Sequence, residues 1–165
     1  AALTDPLTGL GNRAAFQAQM RRMVDGEPAG APPSPFMLLL VDVDHFKNYN
    51  DTHGHAAGDR ALFSLARVLT EHVRPDAVVA RYGGEEFLVV LPETDLEQGR
   101  RIAQRLVDEV NKMRFTLPDN VTSSGITVSI GLAQANPDGA AGDVYAAADA
   151  ALRRAREKGR SCVAT

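Results

Sequence analysis

The sequence predicts an α+β domain of ferredoxin-like βαββαβ order, an antiparallel sheet with flanking helices on one face. Three observations carry that prediction. A continuous apolar run, Phe36 to Val43, reads as a buried strand. Two shorter runs, Val78 to Tyr82 and Phe87 to Leu91, flank Gly83-Gly84 and read as a hairpin with a two-residue turn. Strands alternate with segments whose apolar residues recur at helical spacing.

Taken in order, residues 1–11 are rich in turn formers. A helix is expected from Asn12, with Phe16, Met20 and Val24 on one face and Gly26 and Pro28 ending it. Residues 25–35 (DGEPAGAPPSP) lack a core-forming pattern and read as a surface insertion. After the first strand, residues 44–57 form a polar, Gly-containing segment. A helix follows from about Gly58 to Val73, burying Leu62, Leu65, Leu69 and Val73. A second runs from about Leu96 to Met113, burying Ile102, Leu106, Val110 and Met113. Ile126, Val128, Ile130 and Leu132 alternate with Thr127, Ser129 and Gly131, the period of a half-buried strand. The last helix runs from about Asp143 to Lys158 through Val144, Ala148, Ala151 and Ala155. Ser161 to Ala164 completes the set as an edge strand.

Composition bounds the function. With 165 residues, 44% hydrophobic and 24% charged, the chain matches one globular domain with a sizeable core. A net charge of -3 argues against a general nucleic-acid binder. An anionic substrate must then be held by local cations, a helix terminus or a metal. The single cysteine, Cys162, forms no intrachain disulfide and fits a reducing compartment. The longest plain apolar run, Phe36 to Val41, is far short of a membrane span, so no membrane contact by this domain is expected. No signal-peptide pattern opens the chain, and a motif begins almost at once, which reads as a fragment of a longer protein.

The chemistry-bearing residues gather around the first strand and the hairpin. Asp42 and Asp44, at spacing i, i+2, are expected on one side of the sheet. Two carboxylates at the end of an apolar strand repel unless a cation joins them, and Mg²⁺ suits oxygen ligands; a solvated strand end is the plain alternative. Glu85 and Glu86 follow the glycines and in a strand face opposite ways. Gly83 and Gly84 let a phosphate approach the backbone; a solvated hairpin tip is the alternative. Should the two strands be neighbours, three or four acidic groups share one region fit for a Mg²⁺-nucleotide. Asn50 and Asp59 have side chains able to read a base edge, and equally are common cap and loop residues. His53 and His55 lack a third ligand at metal spacing. The basic run Arg153, Arg154, Arg156, Lys158 and Arg160 closes a helix, where the dipole favours cations anyway.

Read together, DPLTGLGNR (5–13), LLLVDVDHFKNYND (38–51), GHAAGD (54–59), RYGGEEF (81–87), ITVSIGLA (126–133) and ADAALRRAREKGR (148–160) resemble the GGDEF domains, the diguanylate cyclases of bacterial cyclic di-GMP signalling. The motifs occur in the family's order across nearly the whole chain. The resemblance implies a palm like that of nucleotidyl cyclases and condensation of two GTP into cyclic di-GMP and pyrophosphate. It implies Mg²⁺ (or Mn²⁺) held by Asp42, Glu85 and the Val43 carbonyl, with Glu86 helping to deprotonate the 3′-hydroxyl. Gly83 and Gly84 would sit over the triphosphate, Phe46 and Lys47 border the β- and γ-phosphates, Asn50 and Asp59 read guanine, and Arg156 and Arg160 bring cations to the phosphates. It further implies a homodimer, each domain presenting its GTP to the other, and a cytoplasmic output domain spanning 1–165 of a longer signalling protein, whose other parts provide any sensor or membrane tether.

The chain departs from the family pattern in places. Glu85 replaces the motif's Asp, Arg156 stands where Lys is usual, Arg153 where Tyr is usual, and Ser161 where Asn is usual. Product-inhibited members carry RxxD before the hairpin; here Arg74 is present but Ala77 replaces the acid, and Asp76 is expected to face the other way in an extended segment, leaving a degenerate inhibitory site. Competing readings are a catalytically inactive GTP- or cyclic di-GMP-binding module, a cyclase making a mixed adenine–guanine product, and a pure dimerisation domain.

Overall fold

The computed structural model describes residues 2–25, 35–116, 123–135 and 141–165; most of the Pro/Gly-rich insertion read at 25–35 lies outside them. Helix α1 (Arg13–Asp25) leads to strand β1 (Phe36–Val43). Then come α2 (Phe46–His53), α3 (His55–Glu71), and strands β2 (Val78–Arg81) and β3 (Glu86–Pro92). Helix α4 (Leu96–Asn111) precedes the short strands β4 (Phe115–Thr116) and β5 (Ser123–Ser124). Strand β6 (Val128–Ala135), α5 (Ala141–Glu157) and β7 (Val163–Ala164) follow. The main sheet has the order β2-β3-β1-β6-β7. Strand β1 is antiparallel to both neighbours, and the edge strand β7 is parallel to β6.

Every residue of β1 is buried. A strand reads as a continuous apolar run when both its faces are covered, and here both are. Met37, Leu39, Val41 and Val43 pack with Leu62, Leu65 and Leu69 of α3 and Leu106 and Val110 of α4. Phe36, Leu38 and Leu40 pack with Phe16 and Met20 of α1 and Val144, Ala148 and Leu152 of α5. The expectation of helices on one face is thereby corrected: α1 and α5 cover the second. Helix α4 starts on a capping box in which Asp95 accepts from Gln98 N and the Gln98 side chain accepts from Asp95 N.

Three local features depart from the periodicity reading. The polar segment 44–57 contains α2 and the start of α3, broken by Gly54 at φ 90°. Only Phe46 and Tyr49 are buried in α2, one turn apart and with parallel rings, too few apolar residues for a periodic signal. The hairpin loop has three residues, Gly83, Gly84 and Glu85, because Tyr82 N and Gly83 N both donate to the Glu86 carbonyl, at 2.8 and 3.2 Å. A second ladder, β4 with β5, was not expected. Helix α5 lies directly on β6: a Cβ on Gly131 would stand 2.1 Å from the Ala148 carbonyl oxygen and 2.3 Å from Leu152 N. That close approach brings the C-terminal end of α5 over the last residues of β1.

Candidate active site

Asp42 occupies the next-to-last position of β1 and is buried. Its Cα partners are Glu86 on β3 and Ser129 on β6, so Asp42 and Glu86 face the same side, toward α5. There Arg156 Nη2 donates to Asp42 Oδ2. Burial, with the nearby Arg160 charge, pulls the Arg156 guanidinium below its ordinary value. Asp44 has a different task from the expected one. Its carboxylate accepts from Thr127 Oγ1 and Ser129 Oγ, both at 2.6 Å, and from Ser161 N at 3.0 Å. Three donors leave it a brace for the chain leaving α5, where Gly159, Arg160 and Ser161 all take positive φ. For the two non-glycine residues that conformation is strained, and the Asp44 anchor holds it.

The hairpin tip is tied to β1 and to the N-terminal loop. Val43 N donates to the Glu85 carbonyl at 3.2 Å, so Glu85 sits in the loop beside the end of β1 rather than within a strand. Arg81 forks onto the Gly84 carbonyl through Nη2 (2.8 Å) and Nε (3.2 Å), while Nη1 reaches both Asp5 oxygens at 3.2 and 3.3 Å. Asp5 also accepts from Thr8 N and Thr8 Oγ1. Burial would push the Asp5 carboxyl up, but the Thr8 donors and Arg81 together bring it below its ordinary value. Glu86 goes the other way. Burial, then the charges of Asp149 and Glu85, raise its carboxyl, with Arg13 opposing. Beside it the Tyr145 hydroxyl is pushed up to about 12 by burial and by Glu86. A Cβ on Gly83 would come within 2.7 Å of Glu86 Oε1, so the first motif glycine makes room for this carboxylate.

After Asp44, His45 turns the chain in the left-handed region (φ 53°) and α2 begins at Phe46 with no side-chain cap. The first amides of a helix have no intrahelical acceptor and carry its positive dipole end. Those of Phe46 and Lys47 open α2 close in sequence to the buried Asp42, and Lys47 is exposed. One turn on, Asn50 packs its amide against Gly58 of α3, and its Oδ1 is buried with no hydrogen-bond partner among the described residues. Asp59 is the exposed residue after Gly58.

Among the described residues no group of three or more His, Cys, Asp or Glu side chains forms a metal-holding cluster. The oxygen donors this end of the sheet offers are the buried Asp42 carboxylate, Glu85 in the adjoining loop and the backbone carbonyls at the end of β1. That donor set fits Mg²⁺, which commonly takes one or two carboxylates and completes its shell with phosphates and water. His53 instead packs against Tyr49, with ring centroids 4.7 Å apart and the planes inclined by 57°. The reading at Arg74 needs correction. Residues 74–77 form a turn closed by Ala77 N donating to the Arg74 carbonyl, and Asp76 lies 3.5 Å from Arg74 Nε instead of facing away. The Arg74 guanidinium also donates to the Pro92 carbonyl and Thr94 Oγ1, at 2.6 and 2.8 Å.

Periodicity and motif spacing did not reveal the bracing by Arg81, Asp5 and Asp44, nor the contact of Asn50 with Gly58. A charged residue placed just before the Gly-Gly turn was the only local signal for Arg81.

The family model for "Diguanylate cyclase, GGDEF domain" matches residues 2–162. The diguanylate cyclase DgcP of Pseudomonas aeruginosa is 41% identical over 96% of this chain, and the response regulator PleD of Caulobacter vibrioides is 37% identical over 98%. The chain spans 23% and 36% of those two proteins' lengths. Among solved structures, the GGDEF domain of DgcB from Caulobacter crescentus, in complex with c-di-GMP, superposes with a TM-score of 0.91 at 33% identity, covering 99% of this chain and 95% of that one. With the βαββαβ palm and an acidic hairpin tip beside the central strand, these likenesses show that the chain belongs to the GGDEF diguanylate cyclase family.

Proposed function

We propose that the chain is a diguanylate cyclase domain that joins two GTP molecules into cyclic di-GMP, releasing pyrophosphate. The observation that carries this is the register that sets Asp42 opposite Glu86, with Glu85 in the loop beside the end of β1 and the uncapped start of α2 on the same connection. Phosphoryl transfer needs little covalent help from the protein; it needs positioning and charge stabilisation. In this reading Asp42, Glu85 and the Val43 carbonyl hold Mg²⁺, which, when bound, supplies positive charge to the attacking and leaving oxygens. Phe46 and Lys47 hold the terminal phosphates, with Gly83 and Gly84 leaving the triphosphate room. Arg160 adds positive charge there, and Arg156, now on Asp42, reaches the phosphates by turning from it. Asn50 and Asp59 read guanine.

The 3′-hydroxyl of one GTP attacks the α-phosphorus of the other, a phosphorus–oxygen bond forms, and the bond to pyrophosphate breaks. Glu86 takes the 3′ proton. The raised carboxyl supports that role, because a general base works best with a proton affinity near the working pH. One domain holds one GTP, so two domains must face each other, and specific activity should rise with protein concentration. The chain then serves as a cytoplasmic output domain of a longer signalling protein; the partial coverage of its relatives supports this, and no described helix is long and apolar enough to cross a membrane.

The test is pyrophosphate release with GTP and Mg²⁺. Asp42→Asn and Glu85→Gln are expected to abolish it nearly completely while keeping the wild-type circular dichroism spectrum. Wild-type turnover by either variant would refute the metal assignment. Nucleotide binding without turnover by the wild-type dimer would favour the inactive binding module.

A further inference from the structure

Two unfavourable features coincide where α2 meets α3. Gly58 lies inside α3 with no positive φ, and glycine is a poorer helix former there than alanine. Against it lies Asn50 Oδ1, buried and without a partner among the described residues. A buried acceptor without a donor is unfavourable and uncommon in folded proteins. Packing alone would be better served by alanine in place of Gly58 and a small apolar residue in place of Asn50. The pair makes sense if the position of the Asn50 amide is what matters. A Cβ at residue 58 would stand 1.8 Å from Asn50 Oδ1, 2.9 Å from its Cγ and 3.2 Å from Phe46 Cζ. The amide therefore occupies the space that any other residue at 58 would fill. The Asn50 backbone is fixed as well, its carbonyl accepting from Gly54 N at 2.7 Å, while Gly58 N donates to the Gly54 carbonyl at 3.1 Å. The side-chain torsions of Asn50 are then the freedom left, and Gly58 limits it.

We propose that Gly58 is a specificity-determining positioning residue: by lacking a side chain it seats the Asn50 amide in the orientation that reads the guanine base. This rests on the proposal that Asn50 reads guanine. Gly58 itself touches no substrate. Any Cβ at 58 displaces the Asn50 amide, so binding and base choice suffer while the phosphate contacts of Phe46 and Lys47 remain.

The experiment measures binding of 3′-deoxy-GTP and 3′-deoxy-ATP, which lack the condensing hydroxyl, with Mg²⁺ by calorimetry. Wild type is compared with Gly58→Ala, Asn50→Ala and the double variant. Gly58→Ala is expected to weaken 3′-deoxy-GTP binding by about tenfold, the loss of one well-placed hydrogen bond, and to leave 3′-deoxy-ATP binding unchanged. In the Asn50→Ala background the same change should cost much less, because the displaced group is gone and only the 3.2 Å approach to Phe46 Cζ remains. The proposal is overturned if Gly58→Ala binds like wild type, if both nucleotides weaken equally, or if the two losses add. It is also overturned if Gly58→Ala fails to fold while the double variant folds, which would make the contact a packing feature. Should Asn50→Ala bind 3′-deoxy-GTP like wild type, the guanine-reading role of Asn50 falls, and the proposal with it. A loss in Asn50→Ala with none in Gly58→Ala refutes the positioning role alone.

Discussion

Replacing Arg81 with alanine should destabilise the domain by about 2–3 kcal/mol. Its guanidinium joins two separate pieces of chain, the Gly84 carbonyl at the hairpin tip and the Asp5 carboxylate of the N-terminal loop. The two side chains are only 19% and 15% exposed. An exposed pair contributes about 0–1 kcal/mol, and breaking a fully buried one costs about 3–5 kcal/mol. A charged hydrogen bond is worth about 1.5–3 kcal/mol. The site lies between these limits, and alanine also leaves the Gly84 carbonyl without its fork. Arg81→Lys should fall between wild type and alanine, since an ammonium cannot serve both partners in one plane. The assay is urea unfolding, comparing midpoints at unchanged slope. The pH dependence has a definite sign. Asp5 is depressed in the fold, so its share of stability is present above the ordinary carboxylate range and lost as pH falls through its folded value. The gap between wild type and Arg81→Ala should therefore narrow in acid. A variant within about 0.5 kcal/mol of wild type at neutral pH would refute the reasoning.

The other predictions follow from equally local contacts. Glu86 is raised in the fold, so ionising it opposes folding; the penalty is absent below its unfolded value and complete above its folded one. Glu86→Gln should thus raise the melting temperature at neutral pH, lose that advantage in acid, and lose turnover; equal melting gains at both pH values would refute the burial argument. Gly131→Ala must push α5 off β6, at about 3 kcal/mol and roughly 6–12 °C in melting temperature; an unchanged melt would show that the helix moves freely. At the Arg74 turn, the guanidinium already serves Pro92, Thr94 and Asp76, so cyclic di-GMP should inhibit weakly or not at all through this site. Submicromolar inhibition removed by Arg74→Ala would show that Asp76 has taken the acid's place.

The residues that made the site legible in sequence were those whose pattern is local. Phe36 to Val43 read as a buried strand because every side chain is apolar until Asp42, and the structure covers both its faces. The RYGGEEF run marked the hairpin, although the loop closes one residue later, on Glu86, because Tyr82 and Gly83 share its carbonyl. What stayed hidden depends on contacts between distant segments. Asp44 has the same spacing whether it faces a cation or Thr127, Ser129 and Ser161, and only the fold decides that it meets those donors. Asp76 was expected to point away from Arg74 on the assumption of an extended chain; the turn at Pro75 brings the two together. Helix α2 offers just Phe46 and Tyr49 to the core, so its helical form owes more to packing than to periodicity.

The most direct test of the central claim is mass identification of the product after incubation with GTP and Mg²⁺, over a wide range of protein concentrations with the oligomeric state measured at each. The account predicts cyclic di-GMP, two pyrophosphates released for each, negligible product from ATP alone, and loss of the signal in Asp42→Asn. A linear dinucleotide, a mixed adenine–guanine product at comparable yield, or no product from a dimeric protein that binds GTP would contradict it.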